Sequence, residues 1–500
     1  MSFLRGHKLV RDDLWVRGSR IIDPQERFWE ASSTHAFAAD RIVDGAGMIL
    51  APGYIDLQLN GAFGFDFSNP ADMAPCTPEQ QARGETDKIT QICRGVLAHG
   101  VTSLYATVIT SSPQTYAQLR PLVKRRAGSA KDGAHILGVH LEGPFITVAG
   151  AHPPPLIRGH YAPSNETTLA PDALSPSPLP PAAPASASSS SPSPPAAQLH
   201  DFAEVCSVYG ADSLSSGDVG IITLAPEIPG MSEVIRVLSA PPYNIVISAG
   251  HSKATFDEAL RAVGLGTRLI THLFNAMVSF HHRDPGLIGL LGTKEAAAKP
   301  LSDGAAASAL LAEAVKDQSV RGSHMAVTPV AARDHTSPPP PSLFYSLIVD
   351  GHHTHPSSVK IAYSTHPTGA ILITDAILAM GLSDGAYRFG EIAVEIAAHM
   401  AHVSGTNTLA GSIATMEQCV QNFLQFTGCS VVEAIEAATL HPAQCMRLPN
   451  KGSLDVGCDA DLILLDDKLN VQAVWVMGEK AFMKENTGIR ITEVGAQAKA

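Results

Sequence analysis

Four short apolar runs each end in a residue that can bind a metal ion or work beside one: Glu142 in GVHLEGP, His251 in VISAGHS, His272 in LITHLFNAM and Asp375 in ILITDA. Each run is too short for a buried helix and has polar residues and Gly or Pro close by. That is the pattern of parallel strands whose ends jointly build one active site. Eight such strand-like segments can be counted, at 53–60, 101–110, 136–144, 219–227, 243–252, 268–276, 346–355 and 369–376. Helical patterns separate most of them, and TFDEALRAVGLG opens with Thr255 and Glu258 at capping-box spacing. Eight β/α alternations predict an α/β fold, a TIM (β/α)8 barrel acting as a hydrolase.

Both ends of the chain read differently. Residues 1–52 and 441–500 are short strands with turns, and pairing them into one small β-sandwich around a barrel of 53–440 is the most economical arrangement. Two stretches interrupt the barrel. Residues 162–218 contain SPSPLPPAAPASASSSSPSPP, which has too few large apolar residues to offset the entropy of ordering it, so disorder is expected there. Residues 292–342 carry an Ala-rich helix candidate followed by HTSPPPPS, and both stretches read as insertions on barrel loops.

A net charge of −12 excludes the basic footprint of a nucleic-acid or membrane-surface protein, so an anionic substrate needs a local basic site. The 7 cysteines are scattered without a CxxC pair, as in reduced, cytosolic proteins. The opening MSFLRGHKLVRDD lacks an apolar signal core, and no run approaches the ~18 apolar residues of a membrane span. A soluble, cytoplasmic enzyme is the expectation.

Glu142, His251 and His272 are a carboxylate and two imidazoles, each just past the apolar part of a different strand. A catalytic zinc-type site uses three such protein ligands. Asp375, at the end of the eighth strand, can move a proton between water and leaving group, or can simply cap the next segment. His281, His282 and Arg283 form a basic cluster beside a site motif, suited to phosphate or else a solvated loop. His353, after the seventh strand, can polarise an amide carbonyl.

HLEGPF, LAPE, GHS, THLFNAM, DGHH, TDA and LAGS, in this order, resemble the N-acetylglucosamine-6-phosphate deacetylase family of the amidohydrolase superfamily. The resemblance covers nearly the whole chain apart from the two insertions. It implies that Glu142, His251 and His272 hold one divalent metal ion per subunit, with zinc the first expectation, and that Asp375 is the catalytic acid and base. It implies substrate contacts from His152, Asn275, Ala276, His353 and the segment Leu409, Ala410 and Gly411. Arg283 matches an arginine that reaches the sugar phosphate in a neighbouring subunit, which implies a homodimer. The implied reaction turns N-acetylglucosamine 6-phosphate and water into glucosamine 6-phosphate and acetate.

Two departures qualify the pattern. Gln58 and Asn60 stand where many amidohydrolases carry HxH, which favours one metal over two, and the loop FITVAGAHP is shorter than the family's and lacks its lysines. Either His152 or His353 could polarise the carbonyl. Asp459 and Asp461 read as turn and cap residues. The competing readings are a cyclic-amide hydrolase, which usually needs a carboxylated lysine and HxH, and a non-catalytic sugar-phosphate sensor or scaffold, which need not keep Asp375.

Overall fold

The computed structural model describes residues 2–5, 8–25, 39–150, 152, 156–158, 201–293, 343–389, 392–398, 400–406 and 409–494. Eight parallel strands form one sheet in chain order: Tyr54–Leu59, Val101–Ile109, His135–Glu142, Val219–Leu224, Val246–Ala249, Thr267–Ile270, Phe344–Ile348 and Ala370–Ile373. All eight overlap the segments expected from sequence, the third and sixth starting one residue early and the seventh two. Asp375 N–H donates to the Gln58 carbonyl and Asn60 N–H to the Ala376 carbonyl, each at 2.9 Å, which brings the eighth strand back to the first. The result is a nearly closed (β/α)8 barrel.

The strands are almost continuously buried, because helices cover the outside while side chains fill the lumen. Ile55, Leu57, Tyr105, Ile221, Val246 and Leu269 make one apolar layer, closed from below by Cys445 and Met446. Helix Leu440–Cys445 thus crosses the boundary expected at residue 440 and floors the barrel. Above this lies a polar layer. His140 bonds Thr223 at 2.7 Å, Thr223 bonds Thr271 at 2.7 Å, and Thr271 bonds Ser248 at 2.5 Å. Helix Phe256–Leu265 starts at the anticipated capping box of Thr255 and Glu258.

Both chain ends do meet in one six-stranded sheet, in which Ile49–Pro52 pairs antiparallel with Leu462–Leu465. Ile21 and the partly buried Val43 pack with Leu50, Leu464 and Trp475 to give this small unit its own core. Asp459 and Asp461 hold it together ionically, and Asp461 also caps a turn: Lys451 lies 3.1 Å from Asp459 and 2.6 Å from Asp461, His135 of the barrel lies 3.3 Å from Asp461, and Asp461 Oδ1 accepts the Met477 N–H at 2.9 Å. Burial raises the Asp461 pKa, but these partners outweigh it and hold the carboxyl at about 2.

The expectation of disorder from 162 to 218 needs correction at its far end. Helices Phe202–Tyr209 and Ala211–Ser215 occupy it, because Val205, Val208, Tyr209 and Leu214 supply an apolar face that the Ser/Pro tract lacks. The rest of that insertion, 162–200, and residues 294–342 with the Ala-rich helix candidate lie outside the described residues. No described helix is long and apolar enough to cross a membrane.

Candidate active site

The ends of the third, fifth, sixth and eighth strands deliver Glu142, His251, His272 and Asp375 to one mouth of the barrel. Glu142 is the last strand residue, while the other three sit two residues beyond their strands in left-handed backbone, with φ of 49°, 28° and 46° for His251, His272 and Asp375. Non-glycine residues adopt this conformation only when their surroundings over-determine it, and such residues cluster at functional sites. Here the tight turns swing polar side chains over the lumen directly after the apolar runs.

Around Glu142 the nitrogens converge. His272 Nε2 is 3.1 Å and His251 Nε2 is 3.3 Å from Glu142 Oε1, and the two nitrogens are 3.0 Å apart. His152 Nε2 lies 3.5 Å from the other oxygen, Oε2. Glu142, His152 and His251 each offer a ligand atom within 4.8 Å of one another, a grouping that includes His152 rather than His272. Hydrogen bonding separates the roles. His251 donates Nδ1–H to the Val148 carbonyl at 2.7 Å, leaving a lone pair on Nε2. His152 Nδ1 is engaged by Thr110, 2.7 Å from its Oγ1 and 3.4 Å from its backbone nitrogen, which turns Nε2 toward Glu142.

The cluster attracts positive charge. Burial would raise the Glu142 pKa, but the surrounding imidazoles of His152, His251 and His272 carry it well below the usual carboxylate range. Burial pushes His251 down to about 4, so its ring is neutral. Burial acts the same way on His272, yet the hydrogen bond and charge of Glu142 outweigh it and raise that ring's pKa. The Glu142 carboxylate with the Nε2 atoms of His251 and His272 facing it, the latter holding a proton only through the carboxylate's charge, is a donor set that fits a divalent cation.

Asp375 Oδ1 accepts Asn60 Nδ2–H at 2.7 Å and Gln58 Nε2–H at 3.0 Å, and Gln58 Nε2 also lies 2.8 Å from Glu142 Oε1. The positions where HxH would stand thus carry donors that aim the two carboxylates, a role sequence reading missed when it treated them only as lost ligands. The residues at 58 and 60, spaced by two at a strand end, were the available signal. Burial and then the charge of Glu142 raise Asp375 to about 6, the range suited to giving and taking protons near neutrality.

Across a cavity of about 310 Å³, His353 is fixed through Nδ1 by Asp350 at 2.6 Å, leaving Nε2 for the cavity. Burial disfavours its charged form, but Asp350 prevails and raises its pKa. The candidate residues named from sequence line this cavity except the basic cluster His281, His282 and Arg283, which sits exposed on a loop with the Arg283 N–H donating to His281 Nδ1 at 3.3 Å. Leu409, Ala410 and Gly411 arrive on the last strand of a four-stranded sheet, Gly385–Phe389, Ile392–Ala397, Met400–Val403 and Leu409–Gly411, which was not anticipated. Asp66 and Ser68 also line the cavity and were missed, since nothing in GFDFSN marks them before the first strand's end is placed beside the second.

A parallel barrel with carboxylate and imidazole groups at the carboxyl ends of its strands is the architecture of metal-dependent barrel hydrolases. The sequence model of the amidohydrolase family matches residues 49–481. A Rattus norvegicus protein named N-acetylglucosamine-6-phosphate deacetylase is 39% identical over 489 residues, covering 97% of this chain and 95% of its own. A Homo sapiens protein of the same name is 40% identical over 479 residues, covering 95% and 93%. A crystal structure of a mutant N-acetyl-D-glucosamine-6-phosphate deacetylase from Mycobacterium smegmatis, in complex with N-acetyl-D-glucosamine-6-phosphate, superposes with a TM-score of 0.63 at 26% identity, covering 96% of this chain and 98% of that one. The chain belongs to the amidohydrolase family and, within it, to the N-acetylglucosamine-6-phosphate deacetylases.

Proposed function

We propose that the protein hydrolyses the acetamide of N-acetylglucosamine 6-phosphate, releasing acetate and glucosamine 6-phosphate in amino-sugar catabolism. The observation that carries this reading is the shared wall of the cavity, where Gln58 ties the carboxylate of the cation-attracting cluster, Glu142, to the proton-carrying carboxylate, Asp375. Glu142, His251 and His272 hold one divalent ion, zinc being the first choice. Such an ion, when bound, supplies an acidified water and a Lewis acid for the carbonyl.

The chain's own groups do the rest. Asp375 accepts a proton from the attacking water and passes it to the nitrogen as the C–N bond breaks, while Gln58 and Asn60 keep its carboxylate aimed. His353, braced by Asp350, donates from Nε2 to the carbonyl oxygen, and His152 holds the remaining oxygen of Glu142. Asn275, Ala276 and the Leu409–Gly411 strand flank the sugar.

The phosphate needs a cation, and among the described residues no Lys or Arg lines the cavity. We assign that role to Arg283 from a second copy of the chain. The same loop exposes Val278 at 42% and Phe280 at 62%, apolar surface that a homodimer could cover. A cyclic-amide substrate finds less support, because Gln58 and Asn60 serve the carboxylates instead of supplying further ligands. The seven free thiols support a cytoplasmic location. The domain division we propose is a sandwich of 1–52 and 441–500 around a barrel of 53–440, floored by Leu440–Cys445.

Acetate release from N-acetylglucosamine 6-phosphate, measured beside the unphosphorylated sugar with metal analysis of the same sample, tests the reading. Turnover of the phosphorylated sugar with about one metal per chain is expected. Equal turnover of both sugars, or none of either, refutes it.

A further inference from the structure

We infer that Glu227 is a positioning residue: its carboxylate clamps the loop after the third barrel strand to the loop after the fifth, and so fixes the direction of the His251 ligand nitrogen. The inference rests on the reading of His251 as a metal ligand. Glu227 lies three residues beyond the fourth strand, Val219–Leu224, between the two loops it joins. Its Oε1 accepts from Thr147 Oγ1 and from the Lys253 N–H at 2.5 Å, and its Oε2 accepts from Ser252 Oγ at 2.7 Å. Thr147 belongs to the first loop, and Ser252 and Lys253 directly follow His251.

The clamp reaches the imidazole in two steps. The Thr147 and Val148 N–H groups donate to the His251 carbonyl at 2.9 and 3.0 Å, and the Val148 carbonyl accepts His251 Nδ1–H at 2.7 Å. The position of Val148 therefore sets both the ring's tautomer and its rotation. The same loop lies close against the ring, since a Cβ at Gly150 would stand 3.1 Å from His251 Cε1. His251 is one of the left-handed residues of the site, so its backbone needs this over-determination to stay in place.

Three donors converge on Glu227, more than a side chain without acceptors could satisfy. Glutamine retains most of the arrangement. Its oxygen can serve Thr147 and Lys253, while its NH2 donates to Ser252 Oγ, which has a lone pair to spare beside the Ala254 N–H it already accepts at 3.0 Å.

The test uses the full-length protein stripped of metal. Zn²⁺ affinity is measured by competition with a chromophoric chelator, beside the melting temperature, kcat and KM. Glu227→Ala should weaken Zn²⁺ binding by about 10–100-fold, the usual effect of removing an outer partner of a ligand histidine. Glu227→Gln should stay within about threefold of wild type, because the acceptor geometry survives. If Glu227→Ala does not fold, Thr147→Val removes one donor to the clamp and should weaken Zn²⁺ binding about tenfold, the low end of that range. A folded Glu227→Ala, or a Thr147→Val, that binds Zn²⁺ like wild type overturns the inference, even with a lowered melting temperature. Glu227→Gln as weak as Glu227→Ala also overturns it. The affinity measurement needs no substrate, so a wild type without deacetylase activity refutes the proposed reaction while leaving the Glu227 result readable.

Discussion

Replacing Asp375 with Asn separates proton transfer from scaffolding. The Asn oxygen can still accept from Gln58 and Asn60, so the bonds at 3.0 and 2.7 Å survive and the loop should not move. What disappears is a base for the water's proton and an acid for the leaving nitrogen. Loss of that function lowers kcat by about 10²–10⁴-fold, or roughly 3–5 kcal/mol of barrier. Stability should change in the opposite direction. Burial and the charge of Glu142 raise the Asp375 pKa from 3.8 to about 6. A folded pKa above the unfolded one means that ionisation opposes folding, so the metal-free wild type loses stability as pH rises from about 4 to about 6 and stays lower above that. The side chain is only partly shielded from solvent, so we discount the full shift to about 1–2 kcal/mol. Metal-free Asp375→Asn should therefore melt at or above the wild-type temperature at pH 7.5, and the gap should close toward pH 4. Stopped acetate assays, metal analysis and calorimetry of both proteins suffice. A variant that folds, keeps its metal and turns over within a few-fold of wild type removes Asp375 from the chemistry.

Three further outcomes follow from the same geometry. Arg283→Ala should raise KM for the phosphorylated sugar by about tenfold or more at near-normal kcat, because a remote charge contact serves ground state and transition state alike; an unchanged KM with lower kcat would move the residue into the chemistry. His353→Gln should lower kcat by about 10²-fold with Zn²⁺ affinity unchanged in chelator competition, and a normal kcat returns the carbonyl to His152. Zn²⁺ must displace the proton that Glu142 retains on His272, so its apparent affinity should fall about tenfold per pH unit below that histidine's raised pKa, with proton release detected by calorimetry in two buffers. An affinity flat between pH 5 and 7 contradicts the ligand assignment.

The barrel was legible because parallel strands are buried on both faces, so each appears as a short apolar run that needs no long-range information to recognise. Glu142, His251, His272 and Asp375 were legible for the same reason, each following its run closely. The role of Gln58 was hidden because an amide at a strand end looks the same whether it has lost a metal or gained two carboxylates to aim; only the distances to Glu142 and Asp375 tell these apart. Glu227 was visible in LAPE as a motif, but its task depends on loops some 80 residues before it and 25 after, whose approach no local pattern encodes. The sheet bearing Leu409–Gly411 was missed although Val394 and Ile396 alternate with Ala393 and Glu395 at strand period, because the flanking strands are short and mostly unburied.

The pairing of Ile49–Pro52 with Leu462–Leu465 also has a temporal side. The partners are about 410 residues apart, so during synthesis at roughly 5–20 residues per second the earlier strand waits about 20–80 seconds for the later one. Throughout that interval Leu50 has no Leu464 to pack against, and one edge of Ile49–Pro52 offers its backbone to any passing strand. The small unit therefore closes only after Leu462–Leu465 has been made, and until then the open edge of Ile49–Pro52 is exposed to misassociation.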